Sequence, residues 1–167
     1  AVDAALFFKE RAGIYAEFGK VIVIGVGIIA LDDPAQPTLR VKAFYGDDEQ
    51  QVLAQLKHLL EHQMASPNLQ LCAHNGKEFD FPYLCRRMLI HGMGLPAVLD
   101  VRGKKPWEVN HLDTMELWRF GDWKSFTSLD LLANIFGIES SKQVMHGSEV
   151  GTYYYEHQDL DRIAQYC

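Results

Sequence analysis

The sequence has little cysteine. Its three residues, Cys72, Cys85 and Cys167, are odd in number and far apart, with no C-x-x-C pair. This argues against a disulfide framework and a thiolate zinc site, and it suits a reducing, cytoplasmic setting. Basic residues are in the minority, 16 Lys and Arg against 22 Asp and Glu, giving a net charge of -6. That balance speaks against a protein gripping nucleic acid by bulk positive charge. It leaves room for clustered carboxylates that hold divalent cations and so turn the local field toward phosphate. Long apolar runs are also missing: Val21 to Leu31 is broken by Gly25 and Gly27 and falls short of the roughly 18 residues a membrane span needs. There is no G-x-S-x-G, no Walker loop and no G-x-G-x-x-G, since Gly25-Val26-Gly27 stands within a strand pattern; a small-molecule α/β hydrolase therefore lacks support. The chain opens Ala1-Val2-Asp3 with no initiator methionine and no visible signal peptide, and it stops at Tyr166-Cys167 inside a helical pattern, as though cut at both ends.

What is present is the balance of an ordinary globular domain, with 167 residues, 48% hydrophobic and 23% charged. Lys20 to Ala30 is β-branched and nearly continuous, predicting a strand buried on both faces. After a turn over Leu31 to Pro37, the alternation of Leu39, Val41, Ala43 and Tyr45 predicts an antiparallel partner with those residues inward. Asp47, Asp48 and Glu49 suit a helix start, and Val52, Leu53, Leu56, Leu59, Leu60 and Met64 recur at helical spacing. Leu69 to Asn75 reads as a second buried strand, followed by a helix through Leu84, Met88 and Ile90. The segment from His111 reads as a third strand or its end. Thr127 and Asp130 resemble a capping box before an apolar face of Leu129, Leu132, Ala133 and Phe136, and Asp159 caps a last helix. A short helix is expected over Ala4 to Tyr15. The order predicts one domain with a mixed sheet covered by helices.

The sharpest local feature is Cys72 to Leu84, a strand that ends in polar residues and passes into a helix. Ligands of open α/β sheets gather outside the carboxyl ends of strands. Asp80, two residues before Pro82, falls at or near a helix N-terminus, where a carboxylate is favoured and could ligate a hard cation or simply cap the helix. Asp113 could line the same cleft or cap a turn. His74 could ligate metal or make an ordinary hydrogen bond. Tyr166 could project toward the strand ends or belong to the core. Lys104, Lys105 and Trp107, and Trp123 and Lys124, interleave charge with aromatic rings, as either a single-strand groove or a solvated loop would.

The blocks "HNGKEFDFPYL", "HLDTMELWRFGDWKSFTSLDLLANIFGI", "GSEVGTYY" and "DLDRIAQYC" together resemble the predicted 3'-5' exonucleases related to the proofreading domain of family B DNA polymerases, of the DEDDy, ribonuclease H-like superfamily. The likeness runs through essentially the whole chain. Of three family motifs, Asn-x-x-x-Phe-Asp is whole in Asn75, Phe79 and Asp80. Tyr-x-x-x-Asp begins at Tyr166, its aspartate falling beyond Cys167, and Asp-x-Glu would precede Ala1. The resemblance implies a two-ion Mg2+ or Mn2+ hydrolase that releases nucleoside monophosphates from nucleic acid, single-stranded DNA ends above all. Asp80 would ligate metal, Tyr166 would hydrogen-bond the attacking water or the phosphate, and His74, Asn75 and Phe79 would shape the substrate cleft. Asp113 would be a secondary site residue. Asp80 is then the one motif acid within the sequence, so the segment alone is expected to be inactive. The strand that should carry Asp-x-Glu is central in such a sheet, and its place is expected to be filled by residues outside the given sequence or by another segment. The competing class is a binding or scaffold module that kept the fold and lost hydrolysis.

Overall fold

A computed structural model describes residues 11–30, 36, 38–139, 145 and 147–167. Strand β1 (Val23–Ala30) pairs antiparallel with β2 (Thr38–Tyr45), Gly25 opposite Ala43. Helix α1 (Glu49–His58) follows and runs into a π-helical turn, Leu59–Gln63. Its start is set by Asp48, whose side chain accepts from the Gln51 N–H. Strand β3 (Cys72–Ala73) leads into α2 (Asp80–Ile90), and β4 (Leu112–Asp113), parallel to β3, leads into α3 (Thr114–Arg119). Then come α4 (Leu129–Ile135), the short α5 (Val150–Thr152) with a π-helical turn after it, and α6 (Leu160–Tyr166).

The core is one cluster in which Phe44, Val52, Leu53, Leu56, Leu59, Leu60, Met88 and Leu99 are buried, with Ile24 and Val26 packed against it. Helix α1 thus covers one face of the β1–β2 hairpin, and each fully buried Leu contributes about 1.5–3 kcal/mol. The opposite face carries α6, made possible by glycine: a Cβ on Gly25 would lie 3.1 Å from the Cys167 carbonyl oxygen.

The fold is the expected mixed α/β class, and several local expectations need correction. β1 is not buried on both faces, because Gly25, Gly27 and Ile29 are exposed. In β2 the inward side chain is Phe44, while Leu39, Val41 and Tyr45 are exposed; α1 packs on the Phe44 face, with Lys42 lying 4.7 Å over its ring. The strand foreseen from Leu69 to Asn75 shrinks to Cys72–Ala73, since its single partner is the equally short β4. The cap of α4 is Ser128, which accepts from Leu131 N, rather than the Thr127/Asp130 box. Of the α4 stripe only Leu132 is buried, and Ile90 of α2 is exposed. The first helix lies mostly outside the described residues, which show a 3-10 turn at Ala12–Ile14; the Leu31–Pro37 turn lies almost wholly outside them as well. The β1–β2 and β3–β4 pairs form separate sheets, and among the described residues no strand joins them.

Candidate active site

β3 and β4 leave their sheet at the same level, Ala73 opposite Asp113, so the Asp113 carboxylate faces the loop leaving β3. One oxygen accepts from Asn75 N at 2.8 Å and Met115 N at 3.0 Å, the other from Lys77 N at 3.1 Å. Two sequence features let that loop curl around one side chain. Asn75 takes a left-handed conformation, φ 64°, which asparagine tolerates better than most residues. Gly76 is packed so tightly that a Cβ there would lie 2.4 Å from that of Ala73. Burial alone pushes the Asp113 carboxyl up, but the backbone N–H groups of Asn75, Lys77, Met115 and Glu116 win and hold it below the usual range.

Asp80 is the opposite case. It is the first residue of α2 and leaves the N-cap position to Phe79, which makes no side-chain cap. The residue is exposed, yet its carboxyl is raised. Loss of solvation is the largest cause, opposed by its own backbone N–H, and the nearby charge of Asp113 adds to it. Asp113 is therefore spent as a clamp and α3 cap, whereas Asp80 caps no neighbouring N–H group of α2.

His74, Asn75, Phe79, Asp80 and Asp113 come together here. His74 spends both ring nitrogens internally, Nδ1 at 2.9 Å from the Thr114 hydroxyl and Nε2 donating to the Thr127 carbonyl at 2.8 Å. Phe79 is 43% exposed beside Asp80, its ring 5.6 Å from that of Tyr83. From α6, Tyr166 turns its hydroxyl toward Gly147, where a Cβ would lie 3.3 Å away. Its neighbour Cys167, which follows the last residue of α6, has its thiol pushed up, first by lost solvation and then, against the Gly25 backbone, by the charge of Asp80. The loops of Lys105 and Trp107, and of Trp123 and Lys124, are both exposed, with Lys105 lying 5.2 Å over the Trp107 ring.

Sequence reasoning missed Thr114 and Thr127 as holders of His74, the Lys77–Glu116 pair at 2.6 Å, and buried His111, whose ring lies 4.7 Å from Phe81. No local spacing signals such partners, which sit dozens of residues away. Among the described residues no three His, Cys, Asp or Glu side chains converge, so they do not make a two-ion site by themselves. Asp80 supplies one oxygen of the kind a hard divalent cation takes beside water and phosphate oxygens. A groove of about 320 Å³, lined by Lys42, Phe44 and His58 among others, lies between β2 and α1 rather than at the strand ends.

Residues 15–167 match the model of a family described as a predicted 3'-5' exonuclease related to the exonuclease domain of PolB. The chain belongs to that family. The matched span of this exonuclease-family chain contains the whole Asn75 to Asp80 motif and Tyr166. Its fold is similar to that of the family B DNA polymerase from the hyperthermophilic archaeon Pyrobaculum calidifontis, with a TM-score of 0.60 and 16% identity; the alignment covers 89% of this chain and 23% of that one. The exonuclease-family chain thus spans less than a quarter of that polymerase, and the likeness is one of fold, in keeping with a ribonuclease H-like architecture. No curated protein matches it. None of its helices among the described residues is long and apolar enough to cross a membrane.

Proposed function

We propose that this protein hydrolyses the terminal phosphodiester at the 3' end of single-stranded nucleic acid, DNA foremost, releasing nucleoside monophosphates with Mg2+ or Mn2+ as cofactor. One observation carries the reading: Asp113, at the end of β4, is consumed by backbone N–H groups, while Asp80 is the exposed first residue of the helix that follows β3. Hydrolysis adds a water oxygen to phosphorus, breaks the bond to the 3' oxygen, and leaves a proton on that oxygen. A bound divalent ion would supply charge stabilisation at the phosphate. The chain's own part is to hold Asp80 at a fixed place, through the Asp113 clamp and the His74 bridge, with Phe79 and Asn75 lining the approach. Tyr166 is proposed to hydrogen-bond the water or the phosphate, and the whole is proposed to act as one domain.

The test is a nuclease assay of the full-length protein on 3'-labelled single strands with Mg2+, Mn2+ or EDTA. Asp80→Ala is expected to cut the metal-dependent rate by at least about a hundredfold, the upper end of losses seen for residues supporting a metal; an unchanged rate overturns the assignment. The second reading, a non-catalytic nucleic-acid-binding module, is favoured by the absence of three converging metal donors among the described residues. It is upheld if strands bind and none is cut under any of these conditions.

A further inference from the structure

The segment between α3 and α4 holds aromatic rings out in solvent. Phe120 is 91% exposed, Trp123 68% and Phe126 71%. Phe120 ends α3 in the left-handed conformation, φ 47°, a place glycine usually fills. It thus forgoes both burial and a relaxed backbone. Apolar rings are costly to leave in water without a partner.

The segment is nonetheless well fixed. Arg119 Nε donates to the Ser125 carbonyl at 2.8 Å, its guanidinium lies 4.6 Å over the Phe126 ring, and Asp122 N and Ser125 N close two turns at 2.8 and 3.1 Å. It is also tied to the candidate active site. His74 holds the Thr127 carbonyl, and Glu78, two residues before Asp80, reaches Arg119 at 3.8 Å. The acids on this path are engaged: Glu78 with Arg119, Glu116 with Lys77, and Asp122 with the Lys124 N–H. The exposed side chain of Lys124 stands next to Trp123.

We infer that Phe120, Trp123 and Phe126 form a base-stacking platform that holds single-stranded nucleic acid on its way to Asp80, with His74 and Arg119 as positioning residues that fix the platform to the site loop. The inference rests on the reading under Proposed function for the location of the reacting end. Stacking is tolerant of sequence because every base has a π-face, and exposed Lys124 supplies a cation beside Trp123. The two ties of this segment to the candidate site, through Thr127 and Arg119, favour bases over a second protein as its occupant.

The test is fluorescence anisotropy of the full-length protein with a labelled oligothymidylate of about ten nucleotides, in EDTA so that neither cation nor cleavage contributes. Trp123→Ala and Phe120→Ala are each expected to weaken binding about 5- to 150-fold, the range for loss of one base–aromatic stack. Trp123→Phe is expected to restore most of it, with the unfolding midpoint unchanged throughout. Equal binding by parent and both alanine variants overturns the platform, even where cleavage still depends on Asp80. The converse, platform-dependent binding without Asp80-dependent cleavage, sinks the catalytic reading and leaves the platform standing. Self-association of the parent by sedimentation, lost in Trp123→Ala while strand binding persists, also overturns it in favour of a protein-facing surface.

Discussion

Asp80 and Asp113 are the same residue type at neighbouring strand ends, and their surroundings drive their carboxyls in opposite directions. The difference is who supplies N–H groups. Asp113, 3% exposed, has those of three loop and helix residues within 3.1 Å. Removing it by Asp113→Ala leaves those donors buried and unpaired, and the expected cost is about 3 kcal/mol of unfolding free energy in urea titration, given 1.5–3 for a hydrogen bond to a charged group. Asp80 has a raised carboxyl, so at neutral pH the fold carries an anion it disfavours. Asp80→Asn is therefore expected to raise the thermal midpoint at pH 7 in calorimetry while removing activity, and a lowered midpoint contradicts the account of its electrostatics. At this scale the sequence was informative where the signal is local. Asp80 lies two residues before Pro82, and that spacing placed it at a helix start. The Asp113 clamp was not legible, because its partners stand 38 and 36 residues away.

Among the elements, the β1–β2 hairpin shows how a strand pattern can mislead. Both strands and their pairing follow from β-branched runs, but the faces do not. The alternation in Leu39 to Tyr45 puts Leu39, Val41, Ala43 and Tyr45 on one face and Phe44 with Arg40 and Lys42 on the other, and α1 packs on the face with Phe44. Gly25 of β1, which in sequence looks like an interruption, is where Cys167 at the end of α6 comes close to the strand. Gly25→Val is expected to push Cys167 and α6 off the strand, costing about 1–3 kcal/mol as overpacking does, measurable as a lower denaturant midpoint. No loss of stability removes the proposed close approach. Capping was easier to read: Asp48 and Asp159 each accept from an N–H three residues on, at 3.2 and 3.0 Å. Ser128 lies one residue from the place foreseen because Thr127 uses its carbonyl on His74.

Across the whole molecule one buried carboxylate ties four segments. Glu49 of α1 accepts from Val21 N at 2.6 Å, Arg87 Nε at 2.8 Å and His91 Nε2 at 2.7 Å, while Arg87 also reaches the Ala16 carbonyl at 2.8 Å. Burial pushes the Glu49 carboxyl up, but these bonds overcome it and hold it low. Its contribution is present above the unfolded value near 4.5 and is lost as pH falls through the folded one. His111 works in the same direction from a higher start. Neither of its buried ring nitrogens has a hydrogen-bond partner among the described residues, and lost solvation, with Lys77 and Lys104, holds it below its ordinary 6.5. Above that pH it is neutral in both states; below it the unfolded chain takes a proton that the fold refuses. Stability is therefore expected to fall in two arms, one starting near pH 6.5 and one near pH 4.5. His111→Leu flattens the first arm in midpoint-against-pH measurements and leaves the second, and an unaltered first arm refutes the assignment. The sequence by itself determined the α/β class, the order of most elements and the position of Asp80 at a helix start, because periodicity, capping and turn chemistry act between residues a few positions apart. Only the tertiary structure decided which faces are buried, that Asp113 is a clamp, that His74 bridges two loops, and that the segment carrying the aromatics of 120–126 is tied to the loop before Asp80. Each depends on contacts between distant parts of the chain, whose register no local pattern sets.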